Sequence, residues 1–148
     1  MTVSPPDRVT MMLIVMAALL ADGARPVGDP DAVGFARIVA EAPGPVVGLA
    51  VAKEAFGRMG ARFRPLVEEA GSVPAGAPVA EVGGPLGAIE AAAPTALRLL
   101  SRLSSVALGR TDPDLSDPLD RWAAATARLS PPAPVGDDGP SFHLEIEG

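Results

Sequence analysis

Apolar positions recur at helical spacing from Ile89 to Ala107. Ile89, Ala92, Ala93, Ala96, Leu97, Leu99, Leu100, Leu103, Val106 and Ala107 share one arc, and Glu90, Arg98, Ser101, Arg102 and Ser105 share the other. Pro94 lies inside this pattern. A proline in a helix interior removes one hydrogen bond and clashes one turn back, at about 3 kcal/mol. The pattern therefore predicts a break near Ala92 and a helix from Pro94 to Ala107, with proline in the tolerated first turn.

The rest of the chain divides by the same criterion. Val9 to Ala21 is almost purely apolar, yet shorter than the roughly 20 residues that span a bilayer. A signal peptide is one reading. Asp7 offsets Arg8 and no Ala-x-Ala site closes the segment, so a buried N-terminal helix, at a subunit interface, is expected instead. Ala24 to Asp31 is a breaker rich in Pro, Gly and Asp. Phe35 to Val39 alternates like a strand, and Pro45 to Val47 adds a short apolar piece before Gly48. Leu49, Ala52, Phe56 and Met59 mark one face of a helix that Gly60 ends.

From Ala61 the period shifts toward two. Arg62 to Glu68 and Ala77 to Val82 read as strands flanking a turn from Gly71 to Gly76, and Gly83-Gly84-Pro85 punctuates the chain after them. Thr111 to Pro118 is a polar connector in which Asp112, Asp114 and Asp117 serve as turn and cap residues. Asp117 caps a helix carrying Pro118 at its first position and Asp120 near the third. Leu119, Trp122, Ala123 and Thr126 line its buried face toward Leu129. Pro131 to Gly139 is a loop, and Phe142 to Ile146 alternates as a closing strand. The order α, β, β, α, β, β, α, α, β defines an α+β class. Residues 1–110 form the main domain with its apolar N-terminal helix, and residues 111–148 pack on it.

Composition narrows the chemistry. The chain has 148 residues, 48% of them hydrophobic, with four Phe, one Trp and no Tyr, so its core must be built from Ala, Val and Leu. Formal net charge is −6 and the sequence shows no basic block, which argues against nucleic acid as a partner. With no cysteine, thiolate sites and disulfides are excluded, and a single histidine, His143, excludes any site needing two imidazoles. One lysine against many arginines, with abundant Ala, Gly and Pro, suggests a GC-rich bacterial source, and the preference for a buried helix over a signal peptide makes a cytoplasmic setting the expectation.

Few residues could carry chemistry. Arg98 and Arg102, one turn apart, could hold an anion, although a solvated helix face is the simpler reading. His143 and Glu145 on one strand face could form an acid/base pair, against the alternative that alternation merely turns them outward. Glu145 and Glu147 could join Asp137 or Asp138 at a divalent cation, but acids in a terminal loop are more simply solvated. The turn from Gly71 to Gly76 lacks the lysine of a swinging-arm carrier, because Lys53 is the chain's only lysine and is predicted on a helix.

Read together, Gly44 to Ala107 resembles the N-terminal domain of the quinolinate phosphoribosyltransferase (nicotinate-nucleotide pyrophosphorylase) family. Val46-Val47-Gly48-Leu49-Ala50-Val51-Ala52 is similar to the family's GVLAGLPVA step. Leu66 to Gly76 (LVEEAGSVPAG) is similar to its LVEDGDRVxxG hairpin, and Thr95 to Ala107 (TALRLLSRLSSVA) to its TALNFLQRLSGIA helix. The resemblance implies a small α/β sandwich that covers the mouth of a partner subunit's barrel, the barrel supplying most substrate-holding Lys, Arg and His residues. After Ala107 only 41 of the 148 residues follow, too few for a barrel, although Trp122 to Glu147 faintly resembles a barrel's helix-strand step.

The departures from the family pattern bear on chemistry. The family carries Glu-Arg before Thr-Ala-Leu, the arginine reaching the neighbour's substrate carboxylates. Here those positions are Ala93-Pro94, and proline offers no donor. Ser104-Ser105 replaces a Ser-Gly step, and no Asp-x-Thr-Thr motif is visible near Asp29. Phosphoribosyl transfer by this chain alone is therefore not expected. The sequence points to a catalytically degenerate interaction or regulatory protein, a homodimer or one docking on a partner protein, with no cofactor, metal or membrane implied. The alternative is a repurposed small enzyme holding an apolar small molecule in a pocket for cyclisation, isomerisation or proton transfer.

Overall fold

The computed structural model describes residues 5–26, 28–29, 31–127 and 140–147. Its elements run α1 (Arg8–Ala21), β1 (Val33–Ala40), β2 (Gly44–Pro45), α2 (Leu49–Met59), β3 (Arg62–Pro65), β4 (Ser72–Val73), β5 (Pro78–Pro85), α3 (Leu86–Leu108), α4 (Pro118–Ala127) and β6 (Phe142–Glu147). This is the expected α+β order with one additional strand, β4, inside the segment read as a turn.

The largest departure from the sequence pattern is α3, which runs unbroken through Pro94 for 23 residues and starts directly after β5. Burial explains it. Ala88, Ile89, Ala92 and Ala93, which precede Pro94, are all buried against the rest of the domain, and Ile89 alone contributes about 1.5–3 kcal/mol. Together that burial offsets the roughly 3 kcal/mol that an interior proline costs. Pro94 also sits on the exposed arc with Glu90, where water can reach the carbonyl that lost its N–H partner.

Four strands form an antiparallel sheet in the order β3-β5-β1-β6, and β2 pairs with β4 in a separate two-stranded ladder. Register pairs Ala36 with Val82 and Ile146, and Ile38 with Ala80 and Leu144, so alternate residues share one face. Ala36, Ile38, Ala80 and Val82 on that face are buried beneath α3. The opposite face alternates charges, with Arg37 near Glu147 at 3.7 Å and Arg64 near Glu81 at 3.9 Å. Helices α2 and α4 pack on either flank of α3, and α1 lies against α2 and α3.

Gly83 and Gly84, read from sequence as punctuation, belong to β5, and β3 ends at Pro65 rather than Glu68. Gly84 has φ +135°, a conformation that side-chain-bearing residues rarely adopt, whereas a Cβ there would make only ordinary contact with Ala61, 3.4 Å from its Cα. Glycine there permits a positive φ inside the strand rather than a chain break. Gly60 ends α2 in the left-handed conformation, as its position predicts. The Asp117 carboxylate accepts the Leu119 N–H at 2.9 Å, and Leu119, Trp122, Ala123 and Thr126 form the buried face of α4. Leu129, the loop from Pro131 to Gly139 and the acids Asp137 and Asp138 lie outside the described residues.

Helix α1 is half-buried. Its Asp7 carboxylate caps the first turn through the Thr10 N–H at 2.9 Å, and Met11, Val15 and Leu19 enter the core. Its other face stays bare: Val9, Leu13, Met16 and Leu20 are 61%, 57%, 46% and 82% exposed. Among the described residues, no helix is long and apolar enough to cross a membrane.

Candidate functional site

The outer arc of α3 is where the resemblance would place substrate contact. Pro94 stands exposed there between Glu90 and Arg98. Below it, Thr95 is fully buried, and its hydroxyl donates to the Asp22 carboxylate just past the end of α1. Arg98 donates to the same Asp22 oxygen at 2.8 Å. The pair of donors pulls the end of α1 onto α3. They also hold the Asp22 carboxyl below the ordinary carboxylate range, the Thr95 hydroxyl more than the Arg98 guanidinium.

The sign of the resulting pH dependence follows from that direction. Between the lowered folded value and the ordinary 3.8, the unfolded chain binds a proton at Asp22 that the folded chain does not. The contribution is complete above 3.8 and is lost as pH falls through the folded value. Asp7 and Asp114 shift in the same direction, through hydrogen bonds from the Thr10 backbone and the Ser116 hydroxyl respectively. The urea midpoint of the parent chain should therefore fall as pH drops below about 3.8, and less steeply in Asp22→Asn. Identical slopes in parallel urea titrations would remove Asp22 from this account.

Arg102 does not join Arg98. Its Nη2 and Nε meet the two carboxylate oxygens of Asp120 at 2.6 and 3.2 Å. Asp120 is fully buried and also accepts the Asp114 N–H at 2.8 Å. The residue placed by sequence near the third position of a cap therefore links α3, α4 and the connector between them. Asp120 raises the Arg102 pKa further, chiefly through this hydrogen bond. The two arginines read as one anion clamp are thus engaged with two different aspartates.

Two further contacts set the entry to α2. The Ser104 hydroxyl on α3 accepts the Val47 N–H at 2.9 Å and donates to the Val47 carbonyl at 3.3 Å. The Glu69 carboxylate accepts the N–H groups of Gly48, Leu49 and Ala50 at 2.6, 3.0 and 3.1 Å. The N-terminus of α2 is a natural anion position, and the protein's own carboxylate fills it.

His143 and Glu145 do come together: Nε2 lies 3.0 Å from a Glu145 oxygen, with Glu41 3.8 Å from Nδ1. Both side chains are about half exposed on the outer face of β6, at the edge of the sheet. Among the described residues, no group of three metal-capable side chains forms.

Sequence reasoning missed Asp22, Glu69 and the role of Asp120. Asp22 and Thr95 are too far apart in sequence for any local pattern to pair them. Asp120 left a faint signal, since it directly follows Leu119 on the buried side of the helical pattern.

An antiparallel sheet with helices on one face, and α3 presenting an arc at its edge, defines a small open α/β sandwich of cap-domain type. The chain belongs to the family of the quinolinate phosphoribosyl transferase N-terminal domain, whose model matches residues 10–104, well over half of the 148. Among solved structures, NadC from Streptococcus pyogenes is similar with TM-score 0.72 at 18% identity, over 84% of this chain and 53% of that one. The nicotinate-nucleotide pyrophosphorylase from Francisella tularensis is similar with TM-score 0.63 at 22% identity, over 72% of this chain and 40% of that one. The chain spans about half the length of these proteins or less. No curated protein matches its sequence.

Proposed function

We propose that the chain acts as a catalytically degenerate, phosphoribosyltransferase-like interaction or regulatory subunit that pairs with a second copy or docks on a partner protein. The observation that carries this reading is the bare stripe on α1. Val9, Leu13, Met16 and Leu20 follow one another at intervals of four, three and four, the spacing of a helix-pairing seam. No charged residue interrupts α1 between Arg8 and Asp22. The loss of catalysis rests on Ala93-Pro94, where proline stands at the position of the family's carboxylate-binding arginine. The nearest guanidinium on that arc, Arg98, is bonded to Asp22. Of the candidates for the alternative, a small-molecule enzyme, Arg98 and Arg102 are already bonded to Asp22 and Asp120.

The test is sedimentation equilibrium over a wide concentration range, on the parent chain and on Leu13→Glu/Leu20→Glu. Both positions are exposed, so the variant should keep its circular dichroism and urea midpoint. The parent is expected as a concentration-dependent dimer and the variant as a monomer. A parent that stays monomeric, or a variant that dimerises equally well, would overturn the pairing. Formation of a mononucleotide from quinolinate and phosphoribosyl pyrophosphate by the purified chain would overturn the degeneracy.

A further inference from the structure

A second surface feature is independent of the α1 seam. Between the start of α1, the outer side of α2 and the first residues of β3 lies a groove of about 600 Å³. Arg8, Lys53 and Arg62 enter it from those three elements, and Phe63 forms an apolar wall. A smaller depression of about 270 Å³ continues it past Gly57 to Arg58. In a chain with a formal net charge of −6, this is a local concentration of positive charge.

The acid within the groove does not cancel it. Glu54 is bonded to Arg58 at 2.9 Å. That leaves Arg8, Lys53 and Arg62, none of which forms an ion pair with a described residue. Three like charges converging on one concavity repel one another, and an anion between them removes that cost. The floor is kept open by small residues. Gly57 lies in the last turn of α2, and a Cβ there would meet nothing within 4 Å. Packing within the protein therefore gives no reason for glycine at this position, whereas space for a ligand does. Phe63 is braced from behind by Phe56, the rings stacked with centroids 5.9 Å apart.

We propose that this groove binds a small phosphorylated molecule, its phosphate held among Arg8, Lys53 and Arg62 and its organic part laid against Phe63. Guanidinium groups match phosphate oxygens two at a time, and Lys53 adds a point charge. The volume falls within the roughly 300–1,000 Å³ of small-molecule sites. None of the three cations belongs to the stretches that carry the family resemblance. Arg8 lies on the arc that α1 turns toward the domain, in line with Met11, Val15 and Leu19, so occupancy and α1 pairing do not compete.

Isothermal titration of the full chain at low salt, with phenyl phosphate and inorganic phosphate as probes, tests this. Saturable binding is expected, with phenyl phosphate at least fivefold tighter because its ring meets Phe63. Lys53→Gln/Arg62→Gln should weaken it at least tenfold. Gly57→Met, which changes no charge, should block the groove to a similar extent, and Arg64→Gln outside the groove should leave binding unchanged. Circular dichroism and urea midpoints confirm that each variant is folded. Absence of saturable binding, equal affinity for both probes, undiminished binding in Gly57→Met, or an equal loss in Arg64→Gln would each overturn the site.

Discussion

Arg102→Ala is expected to destabilise the domain by about 3 kcal/mol, near the lower end of the range for breaking a buried ion pair. The reason lies with the partner. Asp120 is fully buried, whereas the Arg102 side chain is 41% exposed. Removing the guanidinium leaves a carboxylate out of water with only the Asp114 N–H to satisfy it. Arg102→Lys should recover part of the loss, since an ammonium restores the charge but not both hydrogen bonds. A double variant, Arg102→Met/Asp120→Leu, should cost much less than Arg102→Ala, because no unpaired charge is then buried. Urea unfolding of the three variants checks this. Equal destabilisation in all of them would mean that lost packing, not the stranded carboxylate, sets the cost.

Gly48→Ala is expected to cost a similar amount, about 2–4 kcal/mol, from backbone strain and crowding together. Gly48 adopts φ +114°, which side-chain-bearing residues rarely tolerate, and an added Cβ would sit 3.0 Å from a Leu103 methyl. The effect should reach further than the residue itself. Its left-handed turn opens α2 so that three successive N–H groups converge on Glu69. Rotating Gly48 back toward negative φ would draw its own N–H away from that carboxylate. Hydrogen exchange should accordingly show faster exchange at Gly48, Leu49 and Ala50 in the variant. Unchanged protection at these amides, with the stability loss intact, would assign the cost to crowding against Leu103 alone.

Much of this molecule could be read before any coordinates. The apolar periodicities located α2, α4 and β6 nearly to their ends, because each exposes one arc or face and buries the other, and α1 was located by its unbroken apolar run. Gly60 and Asp117 marked helix ends through local backbone chemistry, which needs no knowledge of the rest of the chain. The resemblance between Gly44 and Ala107 identified the family because the α2 entry, the hairpin and the α3 packing face kept their order. Pro94 misled the reading. Its cost is local and visible, whereas the burial that outweighs it comes from β1, β5, α2 and α4. Gly83-Gly84-Pro85 misled it in the same way, since only strand pairing with β1 and β3 shows that these residues continue β5.

The candidate chemistry divides along a similar line. Positions two apart on one strand face paired as spacing suggested, so His143 meets Glu145 along β6. Arg98 and Arg102 did not act together, because each found an aspartate on a different element. The sequence by itself determined the α+β class and the family, since these depend on periodicity and on residue identity. Only the tertiary structure decided that α3 is continuous, that Asp22 and Asp120 carry its polar ties while Glu69 holds the start of α2, and that Arg8, Lys53 and Arg62 share a groove. Those outcomes depend on groups from distant parts of the chain competing for the same space and the same charge, and no local pattern records that competition.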